Sequence, residues 1–223
     1  MKIKNILKNH SSQTWVFSKA RHSDAQLSFQ TTATNFGAIY GDKAKQSNSD
    51  ASARGHPDWT YGGYINYDHL PAKSTYSSAC KGGSSGEKLP TVAILAMDHH
   101  GPVWNDCTSN RSTGNDNARK TMNKMTEYIA NGQYGRAILE NLDCILESAY
   151  TKGMVEAFSD YAIGFENLVH LHHERDTIND NEMSDLLDYI EMAMKSPTKA
   201  LNNFEAFDDK LTSDDTNLTP AFC

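Results

Sequence analysis

The sequence predicts an α+β protein: a small, irregular β-hairpin core followed by a mainly helical C-terminal half. Three observations carry this expectation. Residues before about 118 are rich in Ser, Thr, Asn, Asp and Gly and show little helical periodicity. Within them TVAILAM (Thr91–Met97), bounded by Pro90 and by DHHGP, is the best strand candidate in the chain. From about Ala118 onward apolar residues recur at spacings of three and four, the grammar of packed helices. The expected division is a loop-rich β-containing core at 1–118, a helical region at 119–207 packed on it, and a loose acidic tail at 208–223.

In chain order, WVF (Trp15–Phe17), the alternating AQLSFQT (Ala25–Thr31) and TYGGYINY (Thr60–Tyr67) read as short strands. KQSNSDASARGHP and CKGGSSGEKLP are loops by composition. For TVAILAM a buried helical turn competes with the strand. STGNDN (Ser112–Asn117) is a loop whose last polar residues suit a helix cap. Four apolar stripes follow. Met122, Met125 and Ile129 form the first, ended by Asn131-Gly132, and Tyr134, Ile138, Leu142 and Ile145 the second, ended near Lys152-Gly153. Met154, Phe158, Tyr161 and Phe165 form the third, and Met183, Leu187, Ile190 and Met194 the fourth, stopped by Ser196-Pro197.

The 223 residues suffice for one good core, and the mean hydropathy of −0.62 is that of a polar, soluble chain. No apolar run reaches the roughly 18 residues of a membrane helix, so no membrane partner is expected. MKIKNILKNHSSQTW has lysines but no apolar stretch behind them, which predicts no Sec-type signal peptide. Cys80, Cys107, Cys144 and Cys223 are widely spaced, and the expectation is isolated, reduced thiols. The net charge of −7 is unevenly placed: residues 1–120 carry 14 Lys/Arg against 9 Asp/Glu, residues 121–223 only 7 against 19. That balance argues against polyanion binding by the whole chain and leaves room for a nucleic-acid site on the first half.

Two Asp-His pairs stand at the ends of strand-like segments: Asp68-His69 in YINYDHLPAKS, and Asp98-His99, followed by His100, in TVAILAMDHHGPVW. One such dipeptide is commonly a turn feature. Two in this order suit metal-assisted phosphodiester hydrolysis, in which an imidazole takes a proton from water while a cation held by a carboxylate and a second imidazole stabilises the leaving oxygen. HLHHERD (His170–Asp176) is the densest histidine cluster. On a helix His170, His173 and Glu174 share a face that could ligate a metal, though basic residues in a last helical turn also serve the carbonyl ends.

DHLPAKS at 68–74, MDHH at 97–100 and the helical run RKTMNKMTEYIANGQYGRAILENLDCILESAYTKGMVEAF from Arg119 together resemble the HNH-like, or His-Me finger, nuclease module of bacterial polymorphic toxins. The resemblance covers roughly residues 60–165. It departs from the family pattern at His100, where Arg is usual, and in GPVWNDCTSNRSTG, which replaces a shorter Thr/Ser-rich segment. Resemblance and chemistry together assign His69 as general base, Asp68 and His99 as metal ligands, and Asp98 as a further ligand or the group that orients His99. Lys73, His100 and Arg119 become phosphate contacts. The implied cofactor is one divalent ion, Mg²⁺, Mn²⁺ or Zn²⁺. The implied partners are a DNA (or, second, RNA) substrate, a cognate immunity protein and a secretion carrier. Such a protein is cytoplasmic in its producer and is delivered into a target cell. The competing expectation is a non-catalytic assembly or interaction protein, viral or of a secretion system, whose Asp-His pairs are turn residues.

Overall fold

TVAILAM becomes both of its competing readings. In the computed structural model, which describes residues 37–39, 65–80, 88–99, 101–107 and 116–213, β3 runs Pro90–Leu95 and passes without a loop into a short helix, α2, Ala96–His99. β3 is the middle strand of a three-stranded sheet in the order β1-β3-β2. β2, Ile65–His69, and β1, Gly37–Ile39, both pair with it antiparallel. Asp68 lies opposite Val92 and His69 opposite Thr91, so the Asp-His end of β2 meets the first half of β3. Val92, Ile94 and Thr91 are fully buried, as expected of a central strand covered by helices. The chain leaves β2 through a cis Leu70–Pro71 bond into α1, Lys73–Ala79. Beyond α2, Pro102 opens α3, Pro102–Asn105. β1 lies where no strand was expected, and the segments at 15–17 and 25–31 lie outside the described residues.

The helical half begins with α4, Asp116–Ala130, and α5, Tyr134–Thr151. Both end where the stripes predicted, each on a glycine of positive φ: 78° at Gly132 and 66° at Gly153. The next N–H after each glycine then folds back on the helix, Gln133 N–H to Tyr128 O at 2.8 Å and Met154 N–H to Ala149 O at 2.7 Å. Only a residue without Cβ adopts that backbone cheaply. α5 is the hub: Ile138, Leu142, Ile145 and Leu146 are fully buried, and α3 and α4 pack on it, as do the three helices that cover residues 180–213.

The third stripe divides into α6, Glu156–Ser159, and α7, Ala162–His173, with Asp160 and Tyr161 at the joint. α7 lies across β3 and β1 and closes the core between sheet and helices. There the Trp104 ring meets Tyr161 edge-on at 5.3 Å and stacks on Phe165 at 6.4 Å. The fourth stripe forms α8, Asp180–Lys195, whose buried face is Met183, Leu186, Tyr189, Ile190 and Ala193. Met194 is exposed and Leu187 only partly buried, because the helical period carries the true stripe through the neighbouring positions. α9, Pro197–Asn202, and α10, Phe204–Ser213, follow.

Two sequence expectations are corrected. The tail does not begin at Asp208: α10 runs through it, buries Phe207 and Leu211, and lays the Asp208 carboxylate on the Arg136 guanidinium with contacts of 2.8 and 2.7 Å. The cysteines are not isolated thiols. Cys107 and Cys144 form a disulfide across a separation of 37 residues, because packing of α3 on α5 brings their Cα atoms to 5.7 Å, and Cys80 is disulfide-bonded as well. None of the described helices is long and apolar enough to cross a membrane.

Candidate functional site

The two Asp-His motifs come together through the β2–β3 ladder. Asp68 leaves the end of β2, and α2 turns back immediately after β3 so that His99 faces it: His99 Nε2 stands 3.2 Å from Asp68 Oδ1. Both are largely shielded, with side chains 23% and 10% exposed. Burial works against a charge on His99, but the Asp68 carboxylate outweighs it, both as a nearby charge and as a hydrogen-bond acceptor, and lifts the imidazole above its ordinary value. Asp98 is held from the helical half, its Oδ2 accepting the Tyr161 hydroxyl. The aromatic pair Trp104–Tyr161 fixes that hydroxyl in the core, so the second motif is anchored by residues 63 positions away in sequence.

His69 is buried beside Asp68. Successive side chains on a strand point to opposite faces, so the pleat directs His69 and Asp68 to different sides of β2. Lys73 is exposed at the start of α1, and Arg119 is exposed on the first turn of α4, where it pairs with Asp116. His100 lies outside the described residues. Asp68 and His99 are predicted site residues that meet directly.

The chemistry of this pair fits a shared cation as two donors. Two ligand atoms each about 2.1 Å from one ion stand roughly 3 Å apart when the angle at the ion is near 100°, and the observed separation is 3.2 Å. Among the described residues no group of three or more His, Cys, Asp and Glu side chains is arranged to hold a metal. Any ion here takes its remaining ligands from water, substrate oxygens or residues beyond those described, as Mg²⁺ commonly does.

The HLHHERD cluster is structural. His172, which the sequence does not single out, is fully buried, with Nδ1 3.0 Å from Thr177 Oγ1 and Nε2 3.3 Å from the Leu70 carbonyl. A carbonyl only accepts, so Nε2 carries the proton toward Leu70, while the Thr177 hydroxyl beside Nδ1 donates to the His172 carbonyl at 2.7 Å. Burial drives this imidazole down to about 4. His173 instead pairs with Asp180 at 2.7 Å, and burial also lowers His170. Through His172 the segment reaches back to the hairpin and braces the Leu70 carbonyl next to His69. Tyr161 and Trp104 are the supporting residues that sequence reasoning missed; Tyr161 sat on an apolar stripe, and nothing local marks its hydroxyl for Asp98.

The chain matches no family model, and comparison with curated proteins and with solved structures finds no match.

Proposed function

We propose that this protein is a metal-dependent endonuclease acting as an antibacterial toxin, hydrolysing phosphodiester bonds in DNA and, as the second choice of substrate, RNA. The observation that carries the reading is the 3.2 Å approach of Asp68 to His99, two residues from separate motifs, at the end of an antiparallel hairpin. Asp68 and His99 are the groups that hold a divalent cation, Mg²⁺, Mn²⁺ or Zn²⁺. When bound, such an ion supplies Lewis-acid stabilisation of the charge that develops on the phosphate and the leaving oxygen.

His69 accepts the proton of the attacking water on its imidazole, the side chain that most often serves as general base. Because the pleat turns His69 away from Asp68, His99 is the alternative base, and single substitutions separate the two. Asp98, restrained by Tyr161, keeps the α2 turn in place beneath His99. Lys73, His100 and Arg119 contribute positive charge for the phosphate backbone, His100 only when protonated. In this reading the acidic helical half is the surface for a cognate immunity protein, and the chain reaches the cytoplasm of a target cell through a secretion carrier.

Expression toxicity tests the proposal. Wild-type protein is expected to arrest growth of a bacterial host and to damage its nucleic acid, and His69→Ala to be tolerated at equal expression. A folded wild-type protein that accumulates harmlessly, with intact DNA and RNA in its host, contradicts the proposal and favours the assembly-protein reading.

A further inference from the structure

The Cys107–Cys144 disulfide joins a fully buried residue to a half-buried one, whose Sγ lies 3.8 Å from the Thr121 hydroxyl and 3.8 Å from the Asp106 carbonyl. Cys107 is fully buried at the end of α3, whereas Cys144 is half-buried and lines a cleft of about 670 Å³ walled by α4 and α5, with Asp106 and the start of α10 at its edges. Lys120, Lys124 and Lys152 stand around the cleft among several carboxylates, so its charge is mixed and does not bar a small polar molecule. On the other side, Cys107 terminates the short segment that carries the second Asp-His motif. Asp106 beside it is held to α5 by Ser148 Oγ at 2.9 Å and by Lys152. Trp104, three residues earlier, packs on Tyr161, and Tyr161 holds Asp98.

We propose that this disulfide is a modification site for small aliphatic thiols, entered from the cleft, and that opening it loosens the segment bearing Asp98 and His99. A thiolate attacks Cys144 Sγ, the bond to Cys107 breaks, and Cys107 leaves as a thiolate that takes up a proton. A second thiolate attacks the small-molecule sulfur of the mixed disulfide, Cys144 leaves as a thiolate that takes up a proton, and the oxidised small-molecule disulfide is released. Two thiols are thereby oxidised for one protein disulfide reduced. Attack at Cys144 follows from access, since the other sulfur is sealed. Loosening follows from topology: the disulfide is the covalent tie between α3 and α5, beside the Asp106 contacts and apolar packing. The inference does not depend on what Asp68 and His99 catalyse.

The test uses the full native chain treated with reduced glutathione or dithiothreitol under non-denaturing conditions. Peptide mass mapping after alkylation follows Cys107 and Cys144 separately from Cys80, and amide hydrogen exchange follows residues 96–107. Expected are a glutathione adduct on Cys144 ahead of any on Cys107, and an opening rate proportional to thiol concentration. Exchange over 96–107 should rise, and the melting temperature should fall by about 5–10 °C. Opening at a rate independent of thiol and equal to that of global unfolding would overturn the proposal. So would opening that leaves exchange over 96–107 unchanged. The double variant Cys107→Ser/Cys144→Ser is expected to show the same raised exchange with no thiol response. If that variant does not fold, the wild-type time course decides alone.

Discussion

His172 shows how one side chain ties the helical half to the candidate site. Its Nε2–H donates to the carbonyl of Leu70, one residue beyond His69, and its Nδ1 faces Thr177. Its imidazole stays neutral in the fold down to about pH 4, whereas an unfolded histidine takes up its proton near 6.5. The unfolded chain therefore binds more protons in between. The contribution of His172 is whole above about pH 6.5 and is lost as pH falls toward 4, by about 3 kcal/mol in all. Urea unfolding between pH 4 and 7 should show this slope, and His172→Gln, which keeps a donor for Leu70 but cannot titrate, should flatten it. A slope unchanged in the variant would assign the acid sensitivity elsewhere. At this scale the sequence marked Asp68, His69, Asp98 and His99 as candidate residues, and the structure brings Asp68 and His99 together. Their partners were not: the Tyr161 hydroxyl reaches Asp98 across 63 residues, and nothing in the Met154–Phe165 stripe distinguishes that tyrosine from an ordinary core ring.

Secondary-structure elements were most legible where backbone chemistry is local. Gly132 and Gly153 end α4 and α5 because those positions need positive φ. The split between α6 and α7 was not legible, since the apolar stripe continues across the joint at Tyr161. The start of α8 depends on a contact as well as a cap. Asn179 Oδ1 accepts from the N–H groups of Asn181 and Glu182, and Glu182 returns a carboxylate oxygen to Asn179 N–H at 2.8 Å. Gly135 on α5 makes room for that buried carboxylate: a Cβ there would lie 2.6 Å from Glu182 Oε1. Gly135→Ala should force Glu182 out of the capping box and cost about 1–2 kcal/mol, despite the better helix propensity of alanine. Chemical denaturation measures it; a more stable variant would mean that Glu182 moves aside freely.

For the molecule as a whole, the sequence conveyed the α+β division and the order of helices but not the long-range ties that close it. Cysteine spacing says nothing of which α3–α5 contact will bring two sulfurs together, and a run of Asp, Thr and Ser reads as a loose end until Arg136 is found beneath it. α10 is an integral part of the core. Removing residues from 204 onward takes away the buried Phe207 and Leu211 and leaves the Arg136 guanidinium without the Asp208 carboxylate. The truncated chain should lose about 4 kcal/mol of stability. An unchanged melting temperature on truncation would restore the view of this region as a tail.

The proposed nuclease centre depends on the meeting of Asp68 with His99 and on the imidazole of His69. Cleavage of plasmid DNA and of RNA by wild type, His69→Ala and His99→Ala, each with Mg²⁺, Mn²⁺ or Zn²⁺ and with EDTA, tests it most directly. The account predicts cutting by wild type that EDTA abolishes, a loss of about 10²-fold or more in His69→Ala, and a loss in His99→Ala that extra metal partly restores. Full activity in both variants, or no cutting by folded wild type with any of the three ions, would contradict it.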